Sequence, residues 1–543
     1  MPGNTRKAER KPLSFSTTMR NPERIAGFLE CILPFENQIL TSDIISKVIK
    51  NVLNKKYYET MYQKRTPFLK EIFENEEQIY TDAQIETIKL NAPQKHKEYG
   101  FAYGWDSRFD TWFRLPMEFG FISYEMNKPI RISNTGHMLI DAMNEVPVNE
   151  KKIQSVFLNA MMKYQSNNPY RKNLNSNVPL LLLLNLIKLL KNDKNQNGAG
   201  ISRQEASILI CWPDNNAISL YNYIVKLRNE FGFSVSDEII YEKCLSLLDS
   251  DITHSDRFKM SQICGEAVDE YIRKMRCTGV ISLRGNGRFI DFNTFEQERI
   301  DYVINNYSTF KEFDDVEKYY NYMGTIDSTI LEIEETPVEE VTDLRKKTLK
   351  KYAKEYSKEK VYDELRKVCK KDNSKDDLLK FINGPTRLEF LTSIALVQQF
   401  ENLDVNPNYS IDDEGLPTFT AAGGEADIVC YDSDYDSLFE VTLMCGKQDQ
   451  VNNEIVPIRR HLLSHIEQTQ KSSFSVFIAP KVHEDTKEIA AWYKHKDNVD
   501  IITYDIEQFL HLLPLSEKSS RLLTGLPFTP RGENALRVAQ KTD

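Results

Sequence analysis

Two acidic side chains, Asp427 and Glu440, stand in short hydrophobic stretches towards the end of the 543-residue chain. Residues 426–431 and 438–444 are mainly β-branched and apolar and are separated by a polar turn, which predicts two adjacent buried strands. Burying a carboxylate is costly unless a cation compensates its charge. Two carboxylates on neighbouring strands can bind a hard cation such as Mg²⁺, which activates water and stabilises charge on a phosphodiester. The pair therefore predicts a metal-dependent nuclease site.

The elements that must hold these acids alternate between helix and strand from residue 376 onward. Glu389 lies on an amphipathic helix predicted for residues 386–399, ahead of the strand pair. Alternation at this spacing predicts an α/β domain with a mixed sheet flanked by helices. After the strand pair in the sequence, the predicted helices are 457–470, 486–494 and 506–513, and the predicted strands are 473–479 and 499–504.

The front half of the chain repeats one order of elements. Helices at 83–90 and 107–119 precede a short hairpin at 120–133 and a further helix. The order returns with a helix at 266–276, a hairpin at 279–292 and another helix. Helix, helix, hairpin, helix is the order of a winged helix, in which one helix enters the major groove of DNA. The sequence therefore predicts a mostly helical N-terminal half built from winged-helix units.

Basic residues on three predicted helices of the front half are candidates for contact with DNA. They are Arg108 and Arg114 on the helix at 107–119, Lys226 and Arg228 on a helix at 217–231, and Arg273 and Lys274 on the helix at 266–276. Arginine and lysine side chains suit guanine edges and phosphates. An ordinary solvated surface position is the alternative for each of them, and Trp112 is expected in the core.

Composition places the chain among ordinary globular proteins. Its residues are 41% hydrophobic and 28% charged, and its length predicts about two to four domains. The apolar run at 178–190 is too short to cross a bilayer and predicts a buried helix. Scattered cysteines without a C-x-x-C pair, together with an N-terminus unlike a secretory signal, predict a cytoplasmic protein without a membrane partner. A net charge of −10 is compatible with DNA binding, which depends on local fields.

Several passages, taken in order, resemble the AlwI-like family of type IIS restriction endonucleases, which also contains DNA-nicking subunits. They are the run from Ser14 to Ile25, Glu389 on its helix, Ala426-Asp427-Ile428 with Glu440-Val441-Thr442, and the run from Glu454 to Arg459-Arg460-His461. The resemblance covers both halves of the chain. It implies winged-helix recognition units, a connector and a cleavage domain of the PD-(D/E)xK nuclease class.

The same resemblance implies roles for five side chains. Asp427, Glu440 and Glu389 would bind Mg²⁺, with Mn²⁺ as a substitute, Glu454 would bind a metal ion or its water, and His461 would carry a proton. The usual pattern has a lysine two residues after the second-strand acid, whereas this sequence has Thr442. Lys447 is the alternative lysine, and Arg459 and Arg460 are expected to contact phosphate or solvent.

The predicted activity is that of a type II site-specific deoxyribonuclease. It would bind a short asymmetric site in double-stranded DNA and, with Mg²⁺, hydrolyse phosphodiester bonds a few bases outside it. Cutting both strands with one such site requires sequential cuts, a transient homodimer or a partner subunit. The alternatives are a strand-specific nicking endonuclease, a sequence-specific DNA-binding protein with an inactive nuclease-like domain, which the missing lysine favours, and an RNA-processing nuclease, for which the sequence offers no aromatic platform.

The predicted domain boundaries follow the changes in pattern along the chain. Residues 1–150 and 151–320 are expected to form two recognition subdomains, 321–375 a charged helical connector, and 376–543 the cleavage domain.

Overall fold

A computed structural model describes residues 9–75, 77–146, 148–250, 257–333 and 341–524 of the chain. The chain divides into two units. The first comprises Met1–Glu339 with Asp412–Glu414, and the second comprises Glu340–Ile411 with Gly415–Asp543. The finer division into four domains stays a prediction, and residues 334–340 of the expected connector lie outside the described residues. Among the described helices, none combines the length and the apolar character needed to cross a bilayer.

The first unit is mainly helical. Its described α-helices are α1 (Pro22–Ile32), α2 (Ser42–Asn54), α3 (Met61–Arg65), α4 (Pro67–Glu74), α5 (Asp82–Asn91), α6 (Trp105–Glu118), α7 (Asn134–Asn144), α8 (Glu150–Lys163), α9 (Pro179–Asn192), α10 (Arg203–Cys211), α11 (Ala217–Phe231), α12 (Asp237–Leu247), α13 (Ala267–Arg276), α14 (Gln297–Tyr307), α15 (Val316–Gly324) and α16 (Thr329–Glu332). Its strands are β1 (Ile122–Ser123), β2 (Arg131–Ile132), β3 (Ile201–Ser202), β4 (Ile281–Arg284) and β5 (Phe289–Phe292).

Local sequence signals explain where these helices begin. α10 starts at a capping box, in which the hydroxyl of Ser202 accepts from the Glu205 amide and the Glu205 carboxylate accepts from the Ser202 amide. α9 starts with Pro179 in its first turn, where the missing N–H has no cost, and all its leucines except the half-buried Leu189 are buried. The apolar run at 178–190 is therefore a buried helix, as predicted.

The predicted order of helices and hairpins occurs twice. α5, α6, the antiparallel β1–β2 hairpin and α7 follow one another, and α13, the β4–β5 hairpin and α14 follow one another later. In the second copy β3 adds to the hairpin, which gives an antiparallel sheet of order β3–β5–β4. That these units belong to the winged-helix class stays a prediction.

The second unit is α/β, as predicted. Its described helices are α17 (Val341–Glu355), α18 (Lys358–Cys369), α19 (Gly384–Gln399), α20 (Val456–Thr469), α21 (Glu484–Asp497), α22 (Ile506–Leu512) and α23 (Arg521–Thr524). Its strands are β6 (Asp404–Pro407), β7 (Ser410–Ile411), β8 (Pro417–Phe419), β9 (Ile428–Tyr431), β10 (Asp436–Val441), β11 (Ser473–Ala479) and β12 (Asp500–Asp505).

One mixed sheet organises this unit. Its order is β12–β11–β10–β9–β6; β10, β11 and β12 are parallel, whereas β9 is antiparallel to both of its neighbours. Leu438 of β10 lies in one buried cluster with Ile458 and Leu462 of α20. Glu440 is two residues after Leu438 and therefore points to the same face of the sheet. The packing of α20 thus directs this acid towards the helix.

The charged stretch at 345–375, which lies within the predicted connector, has a buried face. α17 buries Leu349 and Tyr352, and α18 buries Val361 and Leu365. Both helices pack against α19 within the second unit. The apolar residues recur at helical spacing between lysines and glutamates, so the high charge conceals a buried face.

Candidate active site

Asp427 and Glu440 lie opposite each other across the β9–β10 pair. Phe439 pairs with Ile428, so the next residue of β10 stands opposite the residue that precedes β9. Directly opposed residues of an antiparallel pair project to the same face. The amide of Val441 donates a 2.7 Å hydrogen bond to Oδ2 of Asp427. The two predicted acids are thus brought together on one face of the sheet.

Glu389 is a third acid in this cluster. It lies on α19, is only 3% exposed, and accepts a 3.1 Å hydrogen bond at Oε2 from the amide of Ala421. Burial raises the pKa of Glu389 well above its usual range, and the charges of Asp427 and Glu440 raise it further. The helix ahead of the strand pair therefore carries a carboxylate into the same cluster.

His461 and Glu454 approach the cluster from the segment after β10. Glu454 lies on a π-helical turn, Asp449–Ile455, that runs directly into α20, and His461 lies on α20 itself. Nδ1 of His461 is 2.8 Å from Oε1 of Glu440. Burial lowers the pKa of His461, and the charge of Asp427 opposes that shift. A neutral imidazole that donates through Nδ1 has Nε2 as its proton acceptor.

The carboxylates of this cluster raise one another's pKa. For Asp427 the largest cause is burial, followed by the charge of Glu440; for Glu440 it is burial, followed by the charge of Glu454. Burial, with the charge of Asp427 second, raises the pKa of Glu454 to about 7. Carboxylates held this close repel one another when ionised, and a bound cation would offset that repulsion.

The donor chemistry of the cluster fits Mg²⁺. This ion prefers oxygen donors and is commonly held by one or two carboxylates, with waters and substrate phosphates completing its coordination. Asp427 and Glu440 offer such a pair. Within the part of the chain that the structure describes, no group of three or more His, Cys, Asp or Glu side chains is arranged to hold a metal ion. The described residues therefore present a carboxylate pair rather than a complete cage.

Thr442 takes the place of the usual lysine beside the cluster. It is 8% exposed, and its hydroxyl is close enough to the Glu454 carboxylate to lower the pKa of that group, which opposes the effect of burial. The alternative lysine of the sequence prediction, Lys447, forms an ion pair with Asp485. The residue that faces Glu454 at this position is thus a neutral hydroxyl.

The two arginines before His461 have different surroundings. Nε of Arg459 is 2.6 Å from Oδ2 of Asp497, and its guanidinium lies 5.2 Å from the centroid of the Tyr493 ring. Arg460 is exposed, and its charge lowers the pKa of His461. Arg459 is therefore held within the fold, whereas Arg460 faces solvent near the imidazole.

Gln450 is a residue of the site that the sequence pattern does not indicate. Its fully buried Nε2 donates to the carbonyls of Met444 at 2.9 Å and Lys481 at 2.7 Å, and its Oε1 accepts from the His483 amide at 2.9 Å. These bonds join the segment after β10 to the loop after β11 and so fix the turn that carries Glu454. A glutamine in a polar run gives no sequence signal of such burial.

A family model describes most of this chain. The model of the AlwI restriction endonuclease family matches residues 117–343 and 328–512, well over half of the sequence. The chain belongs to the AlwI restriction endonuclease family. The matched ranges contain all five candidate active-site residues and begin after Arg108 and Arg114.

Comparison with solved structures returned further restriction endonucleases. The small subunit (R.BspD6I2) of the heterodimeric restriction endonuclease R.BspD6I is 20% identical over 33% of this chain and 86% of its own, with a TM-score of 0.24. Restriction endonuclease FokI is 11% identical over 98% of both chains with a TM-score of 0.26, and FokI bound to DNA is 11% identical over 97% of this chain and 98% of its own with a TM-score of 0.23. These similarities are too low to add to the argument, so the family match alone carries the assignment. Comparison with curated protein sequences gave no match.

In this AlwI family member, the basic residues of α6 have contacts within the fold. Every residue of α6 is buried or half-buried. The guanidinium of Arg108 lies over the rings of Tyr58 and Trp112, and Arg114 pairs with Asp110. Trp112 is fully buried, as expected. The two arginines have partners inside the fold and are half-buried, and their contact with DNA stays a prediction.

Arg228 is likewise a structural residue. Its side chain is 3% exposed, and Nε and Nη2 donate to the two carboxylate oxygens of Glu205 at 2.7 Å each. Nη2 also donates to the carbonyl of Gly200 at 2.7 Å. This buried pair ties α11 to α10, so the predicted DNA contact of Arg228 is wrong in this structure. Lys226 lies on the exposed face of α11 and stays a candidate.

Arg273 and Lys274 lie where α13 is covered by other parts of the unit. The Lys274 side chain is fully buried; its Nζ is 3.5 Å from Glu270 and donates to the carbonyl of Arg20 at 3.1 Å. Burial lowers the pKa of Lys274, and the charge of Glu270 opposes that shift. Arg273 is half-buried, with Nε 3.4 Å from Glu270. The predicted DNA contact of Lys274 is therefore wrong in this structure, and Arg273 is directed to the same internal acid.

Proposed function

We propose that this protein is a type IIS restriction endonuclease that binds a short asymmetric site in double-stranded DNA and hydrolyses phosphodiester bonds a few bases outside it. The observation that carries the proposal is one cluster of carboxylates beside a histidine, in which Glu440 contacts His461 at 2.8 Å and stands opposite Asp427. Membership of the AlwI family supports the choice of DNA as substrate. The division into a helical and an α/β unit supports separate recognition and cleavage.

In this proposal Asp427 and Glu440 would hold Mg²⁺, or Mn²⁺ in its place, which would supply Lewis-acid activation of water and charge stabilisation on the scissile phosphate. Glu440 also accepts the hydrogen bond from Nδ1 of His461 and so directs Nε2 towards the reacting groups. Nε2 takes the proton that the attacking water releases. Glu454, with a pKa of about 7, accepts or returns a proton near neutral pH. Glu389, anchored by a backbone amide, completes the negative charge of the site.

One such site cuts one strand at a time. Double-strand cleavage therefore requires two sequential cuts, a second copy of this chain bound transiently, or a different partner subunit. An enzyme that stops after the first cut is a nicking endonuclease.

Plasmid cleavage tests the proposal. Supercoiled plasmid is incubated with the full-length protein and Mg²⁺, and the assay is repeated with Asp427→Ala and with Asp434→Ala, a control in the exposed turn between β9 and β10. Discrete fragments that disappear only with Asp427→Ala support the proposal. A nicked circle that never becomes linear indicates a nicking endonuclease. Retarded DNA without cleavage indicates a DNA-binding protein with an inactive nuclease-like domain.

A further inference from the structure

The β3–β5–β4 sheet and the helices beside it resemble a winged helix into which α11 and α12 are inserted. β3 directly precedes α10, α13 directly precedes β4, and β5 lies between the other two strands, whereas α11 and α12 separate α10 from α13 along the chain. α10 packs against α13. In helix-turn-helix proteins of this kind the second helix of the pair faces the major groove, and its N-terminal residues contact base edges. Here that helix is α13 together with the π-helical turn Gln262–Glu266 that leads into it.

Arg203 fixes the parts of this arrangement to one another. It is the first residue of α10, and its amide donates a 2.9 Å hydrogen bond to the carbonyl of Arg288 on the hairpin. Its guanidinium is 2.6 Å from Oδ1 of Asp269 on α13. The start of α13 and the hairpin are therefore held at a set distance from each other through α10.

Two buried side chains anchor the π-helical turn and the residues before it, and exposed residues lie between and after them. Phe258 is 7% exposed and Ile263 is fully buried, so these two side chains anchor the segment. Ser261, Gln262 and Glu266 are exposed on its outer side. Gln262 and Glu266 are about one turn apart and therefore share a face. The segment thus combines a fixed backbone with polar side chains directed to solvent.

The remainder of α13 offers no comparable surface. Every residue from Ala267 to Arg276 is buried or half-buried. Gly265, by contrast, has open space where a Cβ would stand, so a partner can approach the backbone there closely. A helix of which only the N-terminal end is accessible can present only that end to DNA.

We infer that this N-terminal end enters the major groove, with Gln262 and Glu266 reading base edges and Ser261 beside them. A glutamine can bind the N6 and N7 edge of adenine in two hydrogen bonds, and a glutamate can accept from N4 of cytosine. The inference rests on the proposed function and names residues that determine which sequence is bound. The base-reading residues inferred here lie at the N-terminal end of α13, whereas Arg273 and Lys274, which the sequence predicted, lie near its C-terminal end.

The hairpin supplies a contact of a different kind. Gly285, Asn286 and Gly287 all have positive φ, at 59°, 57° and 85°, which makes the turn between β4 and β5 tight. Arg288 follows this turn and is exposed. An arginine at the tip of a hairpin suits a phosphate, and phosphate contacts fix register without reading sequence. Base reading and positioning are therefore assigned to different elements.

Substitutions at the two elements should have different signatures. The cleaved site of the wild-type enzyme is first determined, and DNA binding is then measured in Ca²⁺ on that duplex and on duplexes with each base pair replaced. Gln262→Ala should weaken binding to the cognate duplex about 5- to 150-fold and remove discrimination at one base pair. Glu266→Ala should remove discrimination at a neighbouring base pair. Arg288→Ala should weaken binding to all duplexes alike and reduce the slope of log K against log salt by about 0.9.

Asn305→Ala is the matched control, because Asn305 is exposed on α14, which carries none of the candidate DNA contacts. It should leave discrimination unchanged, and all variants should unfold at the wild-type temperature. Full discrimination in both Gln262→Ala and Glu266→Ala would overturn the inference, as would loss of discrimination in Asn305→Ala alone. A wild-type protein that neither binds nor cuts DNA would overturn the proposed function, and the inference with it.

Discussion

His461 and Glu440 are joined by a 2.8 Å hydrogen bond between Nδ1 and Oε1. The bond runs from α20 to β10 and is formed within the buried end of the sheet. It sets the orientation of the imidazole ring; with the Glu440 carboxylate ionised, Nδ1 donates this bond and Nε2 is the nitrogen that can accept a proton. The histidine is therefore coupled to the same carboxylate that is proposed to hold the metal ion.

Removing this imidazole should slow cleavage without preventing DNA binding. His461→Ala is expected to lower the single-turnover cleavage rate about 10²- to 10⁴-fold, the usual contribution of a general base. The affinity for the cognate duplex in Ca²⁺ should stay within about twofold, since the base acts on the water and not on the DNA. His495→Ala, at an exposed position of α21, is the control. Equal rates for His461→Ala and wild type would exclude a catalytic role for the histidine.

The apparent affinity for Mg²⁺ should rise with pH across neutrality. The pKa of Glu454 is raised to about 7, so below that pH the group is largely protonated and its proton must leave before the cluster carries its full charge. Binding of the ion therefore releases protons. Calorimetric titration in buffers of different ionisation enthalpy measures this release. In Glu454→Gln the component with a midpoint near 7 should disappear; an unchanged pH profile in that variant would contradict the assignment.

In the absence of a divalent cation, the free energy of unfolding should fall as pH rises, because the buried Glu454 carboxyl must lose its proton. The pKa of Glu454 in the folded protein is about 7, above its ordinary value of 4.5, so the folded state binds more protons than the unfolded state between these values. The free energy of unfolding is then highest below the lower value and falls as pH rises through the higher one. Calorimetric unfolding in EDTA from about pH 5 to 8 tests the direction, and added Mg²⁺ should restore the loss.

Neutralising one acid should stabilise the metal-free protein. The charge of Glu440 raises the pKa of Asp427, and removing the Asp427 charge relieves this repulsion. Asp427→Asn is expected to raise the unfolding temperature near neutral pH in EDTA by about 2–4 °C for each kcal/mol gained in a unit of this size. The same variant should not cleave. Asp434→Asn, in the exposed turn, should change neither property.

The sequence predicted elements well where burial follows a regular pattern. The predicted helix at 217–231 and the predicted strand at 473–479 have the bounds of α11 and β11. In α11 the buried apolar residues recur at helical spacing, and in β11 they form a nearly continuous run. Each pattern follows from the neighbours against which the element packs. The π-helical turn Asp449–Ile455 carries no such pattern, because its geometry depends on the side-chain hydrogen bonds of Gln450.

Which charged side chains are buried in ion pairs was much harder to predict from the sequence. Arg228 and Lys274 were expected to face DNA, but each is paired inside the fold, with Glu205 and Glu270 respectively. Glu205 is 23 residues before Arg228, on another helix, and no local spacing connects the two. A pattern of residue types reports which residues carry charge, whereas burial of that charge depends on tertiary contacts.

Removal of one partner of the buried Arg228–Glu205 ion pair should lower the free energy of unfolding. Arg228→Met should cost about 3–5 kcal/mol in the free energy of unfolding, because it leaves Glu205 buried without its partner. The double variant Glu205→Leu with Arg228→Met should recover part of this loss, since neither charge then remains buried. Lys226→Ala, on the exposed face of the same helix, should change it by less than about 0.5 kcal/mol. Denaturant unfolding measures all three; wild-type stability in Arg228→Met with weakened DNA binding would restore the DNA-contact role.

Gln450 should link the stability of the second unit to the rate of cleavage. Gln450→Leu leaves the carbonyls of Met444 and Lys481 and the amide of His483 without their partner, and each buried group left unpaired costs about 1–3 kcal/mol. The turn that carries Glu454 should then shift, so the single-turnover cleavage rate falls while DNA affinity is kept. Gln468→Leu, at an exposed position of α20, is the control. Loss of stability with an unchanged cleavage rate would show that the position of this turn does not matter for the reaction.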